Sequence, residues 1–319
     1  MNAKGFKING KVVKFVLVAE DDAGDPKQGT TVAQKMVDAK VNGVIGHQNS
    51  GTTIPASKIY YDAGIPQISA SATSPIYTHQ NYNTTFRVVA NDNKLGSILG
   101  KYAVQKLGAK RIAVIDDRTA YGQGVATEFI KGAKGSQIVD KQFTTANATD
   151  FNAILTSIRA KNPDLVFFGG MDGVGGPLLR QMRALGIKAK FMGGDGICTE
   201  GLPKLAGGAD ESVTCAEAGG VPAAQKKDMA EFAVRFKQKY QLDVQIYSPY
   251  VYDAVMTMAT AMANAKSADP AKYLPYLHKV QYQGITGPIS FDQYGDIKDG
   301  ALTLYTFKDG KRQLLEVVK

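Results

Sequence analysis

The chain has 319 residues, more than a single hydrophobic core usually serves, so two domains are expected. Hydrophobic residues make up 44% of it, which is enough for buried cores, and no apolar run approaches the roughly 20 residues needed to span a bilayer. The 38 basic and 29 acidic residues give a net charge of +9, but the lysines are scattered singly along the chain. This scatter favours a solvated surface over a nucleic-acid-binding face.

Short apolar runs alternate with amphipathic segments, a pattern typical of parallel sheets covered by helices on both faces. The predicted strands are Val13–Ala19, Val44–Gly46, Pro66–Ser69, Arg111–Ile115, Asp164–Phe168 and Lys190–Gly193. Two helices are predicted from apolar residues at helical spacing, Leu95, Ile98, Leu99, Tyr102 and Leu107 in the first and Met229, Phe232, Ala233, Phe236 and Tyr240 in the second. The pattern indicates an α/β fold.

The two ends of the chain differ from this alternation. Leu302–Lys308 and Gln313–Val318 flank Asp309-Gly310, which predicts a C-terminal β-hairpin. Met1–Gly5 resembles the last turn of a helix with Gly5 just past its end. The strand and helix that normally open a doubly wound domain have no counterpart in this sequence. A signal peptide, with a basic stretch followed by an apolar one, is not found either. We therefore expect either a shortened chain or a start assigned too late.

The cysteines and histidines are few. A disulfide between Cys198 and Cys215 would close a short loop, worth roughly 3 kcal/mol in the chain-entropy model, and would require an oxidising compartment. Two unrelated buried thiols are the alternative. His47, His79 and His278 are far apart in the sequence, which argues against a zinc site.

Two polar loops, Gly46–Pro55 and Ser69–Pro75, each follow a predicted strand and precede a predicted helix. We expect hydroxyl residues at their N-cap positions and a proline near the first turn. Free backbone N–H groups and the positive end of a helix dipole would make such loops carboxylate or phosphate sites. The competing interpretation is that Ser50 and Thr73 only cap helices.

A third loop, Met192–Gly196, directly follows a predicted strand and places Asp195 between glycines. Asp195 is a candidate counter-charge for an ammonium group. The alternative is a turn aspartate that bonds to its own backbone.

Motifs for catalysis or cofactor binding are not found. The sequence has no Gly-x-Ser-x-Gly elbow, no His-Glu-x-x-His and no P-loop. Gly169–Gly176 is rich in glycine, but its spacing is not Gly-x-Gly-x-x-Gly. We expect no cofactor, no metal and no enzymatic activity.

Several segments together resemble those of the leucine/isoleucine/valine-binding proteins of bacterial ABC importers, which are type I periplasmic binding proteins. These segments are Ala19–Pro26, Ile45–His47, Pro55–Ser57, Ala72–Pro75, Tyr121–Gly124, Gly169–Asp172, Gly194–Gly196 and Gly295–Gly300. The resemblance covers essentially the whole chain in order. It implies two doubly wound, Rossmann-like α/β lobes joined by three crossovers, with residues 1–91 and 221–300 in the N-terminal lobe and residues 92–220 and 301–319 in the C-terminal lobe.

The resemblance also implies a ligand set. The carboxylate of an amino acid would meet Ser50 and Thr73, and its ammonium would meet Asp195 and the backbone carbonyl of Ser71. Further contacts would come from the aromatic walls Tyr121 and Tyr247 and from Asn49 and Met171 in the side-chain pocket. Many members of the family have tyrosine in place of Met171 and glutamate in place of Asp195, so the preference among leucine, isoleucine, valine and phenylalanine stays open.

The function implied is capture of a small hydrophobic amino acid in the periplasm and its delivery to an ABC permease. The lobes would close about a hinge near Ala90–Asp92 and Gly219–Val221. The alternative is a cytoplasmic sensor of amides or amino acids with the same fold and reduced cysteines; a hydrolase would need a nucleophile–base pair, and we identify none.

The family's first strand lies centrally in the sheet of the first lobe and has no counterpart here. The chain is expected to be mostly monomeric, with a strand-swapped oligomer as the alternative. Without its first strand it is also expected to be unstable, to aggregate, or to complete its sheet with a strand from another chain, since unpaired ladder groups are costly when buried.

Overall fold

The computed structural model describes residue 2 and residues 5–220 and 225–318. In chain order its helices are α1 (Pro26–Asp38), α2 (Ser50–Asp62), α3 (Asp92–Gln105), α4 (Ala120–Gly132), α5 (Asn152–Lys161), α6 (Asp172–Ala184), α7 (Leu202–Leu205), α8 (Lys226–Tyr240), α9 (Ser248–Asn264) and α10 (Pro270–Leu277). Its strands are β1 (Lys7–Ile8), β2 (Lys11–Val12), β3 (Val44–Ile45), β4 (Gln67–Ser69), β5 (Thr85–Arg87), β6 (Arg111–Asp116), β7 (Gln137–Phe143), β8 (Leu165–Gly169), β9 (Lys190–Gly193), β10 (Val213–Glu217), β11 (Tyr282–Gln283), β12 (Pro288–Ile289), β13 (Leu302–Lys308) and β14 (Lys311–Val318).

The chain divides into two compact units. Unit 1 consists of Met1–Ala90 and Val221–Gly300, and unit 2 consists of Asn91–Gly220 and Ala301–Lys319. Each unit therefore takes residues from both sides of the other in the sequence. The helices that alternate with parallel strands in both units confirm the α/β fold class.

Unit 2 is built on one seven-stranded sheet of described residues, in the order β14-β13-β10-β9-β8-β6-β7. The strands from β7 to β10 are parallel, and β13 and β14 add an antiparallel edge. β8 is buried along its whole length because helices lie over both faces of a parallel sheet. The predicted strands at residues 111–115, 164–168 and 190–193 are confirmed as β6, β8 and β9.

Unit 1 contains a three-stranded parallel sheet in the order β3-β4-β5. β3 and β4 confirm the predicted strands at 44–46 and 66–69, each shortened by one residue. Apolar residues of α1, α2 and β3 pack together beside the sheet, among them Ala33, Val44, Ala56 and Tyr60. Because neighbouring parallel strands end at the same edge, the loops after β3 and β4 lie side by side.

Both predicted helices form, as α3 and α8, but they are buried to different extents. Leu95 and Leu99 of α3 are fully buried, whereas Phe232 is the buried residue of α8 and Tyr240 is exposed. The C-terminal hairpin is confirmed as β13 and β14, with positive φ at Asp309 and Gly310 as a tight hairpin turn requires.

The predicted strand at Val13–Ala19 is wrong. These residues have no strand assignment and follow the short β1–β2 hairpin, and Val16 and Leu17 are 77% and 87% exposed. An apolar run becomes a strand only when a neighbouring strand satisfies its backbone groups, and no described strand lies beside this one. Of the predicted N-terminal helical turn, residues 1, 3 and 4 lie outside the described residues; Gly5 has a φ of +64°.

Candidate ligand-binding site

The first candidate loop of unit 1 joins β3 to α2. Asn49, in extended conformation, is the N-cap of α2, and Ser50 is the first helical residue. The prediction that Ser50 occupies the N-cap position is therefore wrong by one residue. The carbonyl oxygen of Asn49 accepts hydrogen bonds from the backbone N–H groups of Thr52 and Thr53, which are the first turn's own donors.

The second loop, after β4, differs more from the prediction. Thr73 is not an N-cap, because the residue that precedes the next helical turn is Ser74. That turn is a single 3-10 turn at Pro75–Tyr77, so no long helix dipole points at this loop. Pro55 lies inside α2 rather than at its start. The anion-binding potential of the second loop therefore depends on its hydroxyl and N–H groups, whereas the first loop directly precedes the 13-residue helix α2.

Hydrogen bonds join the two loops. The N–H of Ser74 donates to Oγ of Ser50 at 3.1 Å, and Oγ of Ser71 donates to the carbonyl of Gln48 at 2.8 Å. Since Ser50 Oγ already accepts, its own proton remains to be donated elsewhere. Thr73 is 1% exposed, and within the described residues its Oγ1 has no hydrogen-bond partner. These bonds place Ser71 and the residue after Thr73 against the loop that carries Ser50.

His47, in the first loop, is held by two side-chain contacts. Its Nδ1 lies 2.6 Å from Oδ2 of Asp22, and its Nε2 lies 3.0 Å from the hydroxyl of Tyr60. Burial and the charge of Asp22 raise the pKa of Tyr60, so Tyr60 keeps its proton and can donate it to Nε2. The ring then donates from Nδ1–H to Asp22. This triad was not predicted from the sequence, because Asp22 and Tyr60 are 25 and 13 residues away from His47.

A cavity of about 280 Å³ lies beside this triad in unit 1. Its lining includes Glu20, Asp21, Asp22, His47, Gln48, Ser71, Tyr247 and Val251. Tyr247, the N-cap of α9, therefore lines the same cavity as Ser71. Asn49, Ser50 and Thr73 do not line this cavity.

Asp195 lies in unit 2, in a 3-10 turn directly after β9. It is 2% exposed, and its Oδ1 accepts a hydrogen bond of 2.8 Å from the hydroxyl of Tyr121. The same hydroxyl accepts from the N–H of Gly196 at 2.9 Å. Asp195 is thus oriented by a neighbouring tyrosine, and two of the three predicted ligand residues of unit 2 are in contact.

The start of α4 positions Tyr121. Thr119 is the N-cap of this helix, and its hydroxyl and N–H both donate to Oδ1 of Asp117, at 2.6 and 3.0 Å. Asp117 is 1% exposed, and burial raises its pKa although the hydrogen bonds from Thr119 oppose the effect. Asp117 was not predicted as a functional residue. Its position directly after the apolar strand β6 could have indicated it.

Glycines bring the loop of Met171 against the turn of Asp195. A Cβ at Gly196 would lie 2.5 Å from the carbonyl oxygen of Gly170 and 3.1 Å from Sδ of Met171. Backbone this close leaves no room for a side chain. Met171, the N-cap of α6, is therefore held beside the turn of Asp195.

The disulfide between Cys198 and Cys215 is present, so the alternative of two buried thiols is not observed. Cys198 ends the 3-10 turn that carries Asp195, and Cys215 lies in β10. The crosslink fastens the acidic turn to the sheet.

Within the described residues no cluster of three or more His, Cys, Asp or Glu side chains could hold a metal ion. No described helix is long and apolar enough to cross a membrane.

An α/β protein with hydroxyl-rich loops at one sheet edge and an oriented, buried carboxylate at another has the features of a protein that binds a small solute. The family model described as periplasmic binding protein matches residues 1–312, and the chain belongs to this family.

Several proteins are similar to this chain over nearly its whole length. The leucine-, isoleucine-, valine-, threonine- and alanine-binding protein of Pseudomonas aeruginosa is 36% identical over 310 residues, which are 96% of this chain and 82% of that protein. The crystal structure of the leucine-binding protein LivK of Thermotoga maritima superposes with a TM-score of 0.90 at 26% identity, covering 99% of this chain and 91% of that one. LivJ of Streptococcus pneumoniae, solved in complex with isoleucine, gives 0.87 at 28% identity, covering 99% and 90%.

Proposed function

We propose that this protein binds a small hydrophobic α-amino acid in the periplasm and delivers it to the permease of an ABC importer. The observation that carries the proposal is Asp195, a buried carboxylate oriented by Tyr121 and suited to an ammonium group. The names of the relatives, which include leucine and isoleucine binders, support the same class of ligand.

In this proposal the ligand's carboxylate binds the loops of unit 1 and its ammonium binds Asp195 of unit 2. Thr73 supports the first half, because a buried hydroxyl without a partner is costly unless a ligand oxygen accepts from it. Asn49, Met171, Tyr121 and Tyr247 would contact the rest of the ligand. The hinge is proposed at Ala90–Asp92 and at Gly219–Val221, of which Val221 lies outside the described residues.

We infer that the protein acts by binding and not by catalysis. In the described part of the chain, none of its three histidines hydrogen-bonds to a serine, threonine or cysteine side chain. A hydrolase with a Ser–His or Cys–His pair would need such a contact.

The location is part of the proposal. A disulfide forms and persists in oxidising compartments such as the periplasm, so Cys198–Cys215 supports export. A free-thiol count on protein recovered from cells tests this. Two reactive thiols per chain would favour the cytoplasmic sensor.

Isothermal titration calorimetry tests the ligand. We expect the protein to bind leucine, valine or phenylalanine more tightly than 4-methylpentanoate, which is leucine without its amine. Asp195→Asn should weaken leucine binding at least tenfold, or about 1.4 kcal/mol, because the ammonium loses a buried counter-charge. The same substitution should leave the binding of 4-methylpentanoate unaffected or tighter. Removing the amine from the ligand and removing the charge of Asp195 abolish the same interaction, so their effects on affinity should not add.

Asp253→Asn is the matched control. Asp253 is a fully buried carboxylate of unit 1 that accepts hydrogen bonds from the N–H groups of Ile285 and Thr286, which belong to neither candidate loop. Its replacement should change stability but leave the preference for an amine unchanged. Tight binding of a compound that lacks the amino-acid head group, with no heat from any amino acid, would reject the proposed function.

A further inference from the structure

Arg87, at the end of β5, is fully buried and reaches the loop that carries Thr73. Its Nη1 donates to the carbonyl oxygen of Ala72 at 3.0 Å and to that of Ser74 at 2.8 Å. These carbonyls belong to the residues immediately before and after Thr73. One guanidinium therefore grips the loop on both sides of the proposed ligand residue.

The guanidinium is itself fixed. Its Nε donates to Oδ1 of Asp296 at 3.1 Å, and its Nη2 donates to the same carboxylate and to Oγ1 of Thr78. Thr78 in turn donates to Asp296 at 2.9 Å. The Asp296 backbone pairs with that of Arg87, and Gly295 accepts from the Arg87 N–H at 2.9 Å. Residues 209 positions apart thus form one rigid clamp.

The clamp determines where the Thr73 N–H points. In a trans peptide the carbonyl and the following N–H point in opposite directions. Because the Ala72 carbonyl faces Arg87, the Thr73 N–H must point away from the guanidinium. On the other side of Thr73, the Ser74 N–H is engaged with Ser50. The loop therefore holds its conformation without help from a ligand.

We propose that Arg87, anchored by Asp296, is a positioning residue that sets the affinity of the Thr73 loop for the carboxylate of the ligand. It does so by preorganising the donors of this loop, since donors that need no rearrangement bind an anion more tightly. Arg87 does not contact the ligand itself. This inference rests on the proposed function.

The test compares leucine with leucinamide, which keeps the ammonium but replaces the carboxylate by a neutral amide. Arg87→Lys keeps the positive charge but loses the planar fork that reaches two carbonyls. It should weaken leucine binding about tenfold or more and leucinamide binding much less, so that the leucine-to-leucinamide ratio of affinities falls. Thr78→Val, which removes one contact of the clamp without removing a charge, should lower the ratio less, in the same direction.

Asp253→Asn again serves as the control, since it removes a buried carboxylate of unit 1 that does not touch the clamp. It should leave the ratio unchanged. If Arg87→Lys does not fold, as circular dichroism would show, Thr78→Val decides the matter by itself. An unchanged ratio in the folded clamp variants would overturn the inference while leaving the proposed function intact. A wild-type protein that gives no heat with any amino acid would overturn both.

Discussion

Two carboxylates of unit 1 have pKa values displaced in opposite directions. Burial alone would raise the pKa of Asp22, but hydrogen bonds from the Gly24 N–H and from His47 and Thr52 hold it below its usual range. The pKa of Asp253 is raised, because burial outweighs the hydrogen bonds from Thr286 and Ile285. Because the residues share a unit, their effects act on the same unfolding transition.

The opposite displacements predict opposite pH dependences of stability. The depressed pKa of Asp22 means that its stabilising contribution is present above the unfolded pKa of about 3.9 and is lost as the pH falls through the folded pKa. The stability advantage of wild type over Asp22→Asn should therefore shrink as the pH is lowered below about 4. For Asp253 the unfolded chain ionises first, so wild type should lose stability relative to Asp253→Asn as the pH rises from about 4 towards the folded pKa.

Urea denaturation of the three proteins between acid and neutral pH measures both effects. Each variant is the control for the other, since both remove one carboxylate from unit 1. If the stability of both variants varied with pH in parallel with that of wild type, the opposite pKa displacements of Asp22 and Asp253 would be contradicted.

The sequence indicated the candidate ligand residues more clearly than the residues that hold them in place. Asp195 between glycines and the hydroxyls of the two loops stand out in the sequence, and the structure places Ser50 beside the Thr73 loop. Arg87 gave no such signal, because its partners are 9 to 209 residues away and only the fold brings them together. A lone arginine in the apolar run Phe86–Ala90 was the one local indication.

Strands were predictable where apolar residues follow one another, as along the whole of β8 and at Phe191 and Met192 of β9. β5 and β10 are equally buried but were missed, because polar residues interrupt both sequences. β7 was missed because it is an edge strand whose residues are half-buried or exposed, so its sequence alternates weakly. The β1–β2 hairpin was also missed, although Asn9-Gly10 is a strong turn signal and both residues have positive φ.

At the level of elements, the disulfide should stabilise unit 2. It joins residues separated by 17 positions, and closing a loop of this length is worth about 3 kcal/mol in the chain-entropy model. The Cys198→Ala/Cys215→Ala double variant should therefore unfold at lower urea, with unit 2 affected and unit 1 not. Leucine affinity should fall several-fold, because the Asp195 turn loses its attachment to β10.

Reduction of wild type with dithiothreitol provides the comparison, since it breaks the same bond without changing the residues. The reduced wild type and the double variant should agree in stability. Unchanged urea unfolding after complete reduction would show that the crosslink adds nothing to unit 2.

At the level of the whole molecule, the segment at residues 13–19 exposes apolar side chains and belongs to no described strand. Val16 and Leu17 expose most of their surface, and the segment follows a two-residue strand instead of joining the β3-β4-β5 sheet. Within the described residues β3 is an edge strand. Exposed apolar segments and open edges are templates for pairing with another chain.

We therefore expect the protein to self-associate in a concentration-dependent way through this segment. Size-exclusion chromatography with light scattering should show dimers or larger species that increase between low and high micromolar protein. Val16→Lys/Leu17→Lys should shift the distribution towards monomer, because charged side chains on an open strand oppose pairing. Val234→Lys, at an exposed apolar position of α8, is the matched control and should change little. A single monomeric species at every concentration, or equal effects of both charge variants, would show that this segment is not the site of association.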